Sequence, residues 1–232
     1  MELVSDLNGE LRAGSRRRSR NPHSASRENP PPSGGGEVKT SPASFRDQAN
    51  WSDGYYELAI EVGSTDDARL QAVLSALWSA ANVQGCFGQS DREPEEQDAV
   101  PCTVASLAEF GHLYGRVRLP TGQLVVCGCV AVRGGDESSD WLDLYVPVGA
   151  LDHAGVAYWD GRPFFRSAAT DDWLAAVGAE AFRSASFSLG VIGFEASGCT
   201  SASTMAGRLP EERDIGYLLP RGEVLHYGAA NT

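Results

Sequence analysis

The sequence predicts an α+β fold: a single domain with a mostly antiparallel sheet of about six to seven strands and two main helices, preceded by a disordered N-terminal tail. Three observations lead to this prediction. Three strand patterns follow one another between Leu113 and Val146 with short connections, as in an antiparallel meander. Two amphipathic helical patterns flank the meander and do not alternate with every strand. Residues 1–48 lack apolar periodicity.

The first 48 residues are rich in Ser, Pro, Gly and Arg and include a basic run, Arg16–Arg20. Such a composition cannot bury enough apolar surface to offset the entropy of ordering the chain. We therefore expect a disordered tail over 1–48 and a folded acidic domain over 49–232. The basic run is either an electrostatic arm for nucleic acid or membrane, or an unselected leader, and the composition favours the second interpretation.

The first two elements of the domain are a strand and a helix. The stretch Tyr55–Val62 alternates apolar and polar residues, which predicts a half-exposed strand. The next segment has Asp66 and Asp67 at its start, where negative charge suits a helix N-terminus. Its apolar residues follow helical spacing and predict a stripe that packs on the sheet: Leu70, Val73, Leu74, Leu77, Trp78 and Ala81.

A short strand is expected at Val83–Gly88, followed by an exposed acidic loop at Gln89–Val100. In the meander that comes next, the run Gln123–Arg133 is apolar on both faces and predicts a central strand. The strands before and after it, which begin at Leu113 and Trp141, alternate apolar and polar residues as half-buried antiparallel strands do.

After the meander, Gly149–Ala154 predicts one helical turn, and Thr170 precedes a second helix that has Asp171 and Asp172 in its first turn. The remaining patterns predict a strand and a terminal hairpin: Ser186–Glu195, Ile215–Leu219 and Glu223–Tyr227.

The charge distribution limits the class of partner. After Gln48 the chain has 11 basic and 25 acidic residues, an excess of 14 negative charges, and its one lysine, Lys39, lies in the tail. An acidic surface repels phosphate, so nucleic acid is an unfavourable partner for the domain and a basic protein is a favourable one. Acidity of this size is also typical of proteins that it simply keeps soluble. Arginine without lysine suggests a high-GC, bacterial coding sequence.

Five cysteines without a secretory signal argue against a disulfide framework. No apolar run is long enough to cross a membrane, so we expect a cytoplasmic protein with no membrane association. Cys127 and Cys129 lie on one face of a strand and could ligate a soft metal or act in redox chemistry, but no second pair or histidine completes a set. Inert core thiols are the favoured interpretation, and we expect no metal or cofactor.

No catalytic motif is present, and His112, His153 and His226 have no pattern that assigns them to a reaction. The residues of most interest are aromatic, arginine and acidic side chains that should share the polar face of the meander, a composition found at binding hot spots. This predicted binding face comprises Tyr114, Arg116, Arg118, Trp141, Asp143 and Tyr145. Alternatively, a helix covers this face, or Arg118 and Asp143 form a cross-strand ion pair.

A stand-alone acidic α+β domain without a catalytic signature is similar in type to small bacterial inhibitor and immunity proteins, although no family motif is present. The sequence thus favours a non-catalytic protein-binding module for a basic partner. Alternatives are an enzyme or a small-molecule-binding protein with a pocket between the sheet and the connection 158–166, and a structural or regulatory subunit.

Overall fold

The computed structural model describes residues 41–63, 65–134, 139–157 and 165–232. Their strands form one antiparallel sheet in the order β2-β3-β4-β5-β1-β6-β7-β8, and the predicted α+β fold is confirmed. The sheet has one strand more than the upper expectation. The strands are β1 (Tyr55–Glu61), β2 (Gln84–Phe87), β3 (His112–Arg118), β4 (Leu124–Val132), β5 (Trp141–Pro147), β6 (Leu189–Phe194), β7 (Gly216–Arg221) and β8 (Val224–Gly228).

The described helices are α1 (Asp67–Ala80), α2 (Val104–Phe110), α3 (Val148–His153), α4 (Ala168–Ser184) and α5 (Ala202–Met205). The two predicted main helices are α1 and α4, and α1 buries Leu70, Val73, Leu74 and Leu77 of its predicted stripe. Asp66 caps α1, and Ser167 caps α4 in place of the expected Thr170. The sequence patterns did not indicate α2 or α5, which are short.

The predicted meander is confirmed, because β4 pairs in antiparallel register with β3 on one side and β5 on the other. The expected position of the strands differs from the observed one. The middle of the sheet is β1, which pairs with both β5 and β6, while β4 is third from an edge. The prediction of a half-exposed strand at Tyr55–Val62 is wrong: every residue of β1 after Tyr55 is buried.

The main core lies on the face of the sheet that packs against α1 and α4. Leu58 of β1, Leu142 of β5 and Cys127 and Cys129 of β4 are fully buried there. The hydroxyl of Tyr56 donates a 2.5 Å hydrogen bond to Oδ1 of Asp171 and so joins β1 to α4. The two β4 thiols are thus core residues, as the sequence indicates.

Two irregular segments cover the opposite face of the sheet. Residues 196–209, which include α5, bury Ala59, Leu189 and Val191 beneath Met205 and form a second apolar cluster. At the other end, residues 41–51 lie against β3 and β4, where Pro42 O accepts a 2.9 Å bond from Val126 N.

The N-terminal boundary of the domain falls earlier than the sequence predicts. Phe45, which was assigned to the tail 1–48, is fully buried and makes edge-to-face contacts with Trp51 and Phe87. Residues 41–48 therefore belong to the domain, while the rest of the predicted tail, 1–40, lies outside the described residues. Within the described part of the chain, no helix has the length and apolarity needed to cross a membrane.

Candidate functional site

The strand register brings the six predicted binding residues to one face of the sheet. Tyr114 and Tyr145 both lie opposite Gly128, and Asp143 is opposite Val130. This is the face covered by residues 41–51 and 196–209. Of the six, Asp143 and Tyr145 are buried, Tyr114, Arg116 and Trp141 are partly exposed, and Arg118 is exposed. The binding role of the six stays a prediction.

Arg116 is bound by neighbours within the domain. Its Nε donates to Ala43 O at 2.8 Å, and its two terminal nitrogens reach carboxylate oxygens of Glu93 at 2.9 Å and Glu95 at 3.3 Å. The guanidinium carbon also lies 5.5 Å from the ring centroid of Phe45. Arg116 therefore connects the N-terminal segment and the acidic loop to β3.

Asp143 and Arg118 do not form the cross-strand pair considered above. Asp143 lies opposite Val130 and Ala59, whereas Arg118 lies opposite Leu124 and donates to Gly122 O at 2.6 Å. Burial raises the pKa of Asp143 to about 6, and a hydrogen bond with the Ser197 side chain opposes this shift. Its Oδ1 has no hydrogen-bond partner among the described residues.

Sequence reasoning missed two carboxylates beside Asp143 on this face. Glu57 accepts a 2.7 Å bond from Ser197 N, and Glu61 accepts a 2.5 Å bond from Ala202 N. Burial raises the pKa of Glu57 to about 7, and the nearby Asp143 charge raises it further. The alternation of β1 made both glutamates look solvated, since a sequence does not show which loop will return to cover a strand.

A histidine and three tyrosines adjoin the carboxylates. Nδ1 of His112 lies 2.9 Å from the Tyr145 hydroxyl, and the imidazole stacks on Tyr114 with 5.8 Å between ring centroids. Tyr55, 37% exposed, contacts Tyr145 at 4.4 Å between centroids. Burial lowers the pKa of His112 below its ordinary value, so the ring is neutral at physiological pH. His153 binds Asn50 and has a structural role.

The acidic loop forms a groove of about 450 Å³ at the edge of the domain near β2. Phe110, at the end of α2, packs its ring against Gly88 and remains 36% exposed. The lining combines this aromatic ring with carboxylates, amides and one arginine: Gly88, Gln89, Arg92, Glu95, Glu96, Gln97, Asp98, Val100 and Phe110.

Internal hydrogen bonds give the acidic loop a defined shape. Glu93 accepts from Ser44 Oγ at 2.5 Å, from the backbone nitrogens of Phe45 and Arg46, and from Arg116. The side-chain amide of Gln97 donates to the carbonyls of Gln89 and Arg92. The sequence predicted an exposed loop here, but its anchors lie far away in the chain and are not visible in the local pattern.

Across the described ranges, no three histidine, cysteine or carboxylate side chains come together as a metal site requires. The alternative pocket beside the connection 158–166 cannot be placed, because residues 158–164 lie outside the described ranges. Comparisons with known proteins give no further assignment: no protein-family model, curated protein or solved structure matches the chain.

Proposed function

We propose that the domain is a non-catalytic binding module that accepts a basic side chain of a protein partner in the groove of the acidic loop. The observation that carries the proposal is the combination in one concave surface of an exposed aromatic ring, Phe110, with the carboxylates of Glu95, Glu96 and Asp98. A guanidinium or ammonium group can lie on the ring face and reach carboxylate oxygens from the same position.

The carboxylates of the groove are partly committed to arginines of the domain itself. Glu95 pairs with Arg116 at 3.3 Å and Glu96 pairs with Arg46 at 2.6 Å. Each carboxylate has further lone pairs, and the Glu95 side chain remains 70% exposed. Asp98 is exposed as well. Arg92 is the opposing feature, because its positive charge on the lining repels a basic ligand.

Two of the predicted binding residues support the groove from behind. Arg116 holds Glu93 and Glu95 at the base of the loop, and the Tyr114 side chain is hydrogen-bonded to Ser90. A loop that is already ordered loses little conformational entropy on binding, which favours affinity. The net negative charge of the domain adds long-range attraction for a basic partner.

A capture experiment with matched charge variants tests this proposal. The full chain, the groove variant Glu95→Gln/Asp98→Asn and the control variant Glu211→Gln/Glu212→Gln serve as baits, since both variants remove two negative charges and Glu211 and Glu212 are exposed elsewhere. We expect the groove variant to lose the captured basic protein and to bind it roughly tenfold more weakly, about 1.4 kcal/mol. Equal losses from both variants would show that net charge alone acts and that the groove is not the site.

A defined probe complements the capture. An arginine-rich peptide titrated into the protein should shift the NMR ring signals of Phe110, and a glutamate-rich peptide of equal length should not. Shifts confined to other aromatic residues would place the basic ligand elsewhere.

One observation favours a second candidate, an enzyme or small-molecule-binding protein. Glu57 and Asp143 have pKa values raised to about 7 and about 6 by burial, so each can hold or release a proton near neutral pH, and the His112–Tyr145 pair is on the same face. A metabolite that raises the Tm of the wild type but not of Asp143→Asn would support this candidate.

A further inference from the structure

Four of the five cysteines lie in one region of the domain. Cys86 of β2, Cys127 and Cys129 of β4 and Cys102 of the loop before α2 interact electrostatically with one another. The thiols of Cys86 and Cys102 are in direct hydrogen-bonding contact. Cys199 is separate from these four in that it is exposed.

The strand geometry excludes one pairing within this group. Cys127 and Cys129 are two residues apart on β4, so their Cβ atoms are separated by roughly 6.5 Å, which exceeds the roughly 4 Å that a disulfide spans. Both are also fully buried. Cys102 is partly exposed and lies in a segment without regular structure, where the backbone can adjust to a new bond.

Hydrogen bonds to the surrounding backbone hold the two contacting cysteines in place. Val100 N donates to Cys86 O at 2.8 Å, directly joining the two ends of the acidic loop. The Gln71 side chain of α1 donates to Cys102 O at 3.1 Å and accepts from Val104 N at 2.9 Å. The contact between the thiols is therefore built into the fold.

We propose that Cys86 and Cys102 are a dithiol site that a low-molecular-weight disulfide oxidises to an internal disulfide, closing the base of the acidic loop. The Cys102 thiolate, reached from solvent, attacks one sulfur of the oxidant; a mixed disulfide forms at Cys102 and one oxidant thiolate leaves. The Cys86 thiolate then attacks Sγ of Cys102 and expels the second thiolate. The two cysteine protons pass to the two departing thiolates, so two cysteines are oxidised and one small disulfide is reduced.

The bond would join the two ends of residues 87–101, the segment that contributes most of the groove lining. Oxidation removes states in which this loop opens and so increases its order. The inference goes beyond the proposed function, and its test needs no binding partner, so either can fail without the other.

The experiment uses the native full chain carrying Cys199→Ser, incubated with increasing ratios of oxidised to reduced glutathione. We expect the mass to fall by the two thiol hydrogens, digestion without reductant to give one linked peptide joining Cys86 to Cys102, and reductant to reverse the change. Amide hydrogen exchange across 88–101 should slow several-fold in the oxidised form, while the far-UV circular dichroism is unchanged.

Two variants in the same background test the order of attack. Cys86→Ser should accumulate a stable glutathione adduct on Cys102, because the resolving thiol is gone, and Cys102→Ser should form neither adduct nor bond at the buried Cys86. Cys127→Ala should leave the Cys86–Cys102 bond intact. A stable adduct on Cys102 when Cys86 is present, a linkage to Cys127, or a linkage that forms only in denaturant would each overturn the proposal.

Discussion

The hydroxyl of Tyr145 on β5 lies over Gly128 of β4, so closely that a Cβ added to Gly128 would be 2.3 Å from Tyr145 Oη. This close approach is what allows the hydroxyl to reach Nδ1 of His112 on β3. We expect Gly128→Ala to displace the Tyr145 ring, break this hydrogen bond and destabilise the domain by about 1–3 kcal/mol, as overpacking of a core does. Urea unfolding measures the change.

The control for Gly128→Ala is Val132→Ala on the same strand. Val132 is 53% exposed, so its replacement should change the unfolding free energy by less than about 0.5 kcal/mol. A Gly128→Ala variant as stable as this control would show that Tyr145 can leave its position without cost.

Phe45 tests whether the segment 41–48 is part of the domain. Because its side chain is fully buried between Trp51 and Phe87, we expect Phe45→Ala to cost about 3–5 kcal/mol. Arg46→Ala, which removes an exposed ion pair with Glu96, should cost no more than about 1 kcal/mol. Equal and small effects in thermal unfolding would return the segment to the tail.

The fold was largely predictable because apolar periodicity reports which face of an element is covered. It predicted the meander and the buried stripe of α1. It failed at Glu57, since a glutamate that accepts a backbone N–H from residue 197 has the same local pattern as a solvated one. It also failed at Phe45, where one aromatic residue in a polar stretch carries no period. The groove depends on such distant contacts, and only its acidity and exposure could be predicted.

The buried Glu57 carboxyl should make stability depend on pH. Its pKa rises from an ordinary value of 4.5 to about 7 in the folded domain, so the fold favours the protonated form. The resulting stabilisation is fully present below about pH 4.5 and is lost as the pH rises through about 7, a change of about 3 kcal/mol. Glu57→Gln, which can still accept from Ser197 N, should abolish this loss.

Unfolding free energies of the wild type and Glu57→Gln across this pH range isolate the effect. Asp143 contributes a loss of the same sign as its pKa of about 6 is passed, while His112, whose pKa is lowered, contributes the opposite slope. The difference between the two proteins cancels these shared contributions to first order. Glu211→Gln, at an exposed position, should follow the wild type. A wild-type curve parallel to that of Glu57→Gln would mean that Glu57 is ionised throughout.

Gln71 on α1 should contribute to stability although it lies outside the apolar stripe. Its amide bonds to both Cys102 O and Val104 N, so Gln71→Ala leaves two backbone groups without these partners. We expect a cost of about 1–3 kcal/mol by urea unfolding. Ser79→Ala, on an exposed position of the same helix, should be close to neutral. If both variants are neutral, water replaces the Gln71 bonds.

The kinetics of partner binding should separate the charged residues of the groove from its aromatic wall. Screening limits the attraction between exposed charges to about 8 Å at physiological ionic strength, so the association rate with a basic partner should fall steeply as salt rises. Asp98→Asn should slow association, Arg92→Gln should speed it, and Phe110→Ala should mainly speed dissociation because Phe110 supplies contact after docking. Tyr145, which the sequence also suggested as an anchor, is buried and should affect folding first. Surface plasmon resonance over a salt series gives both rates, and an association rate that neither salt nor Arg92→Gln alters would exclude electrostatic capture by the groove.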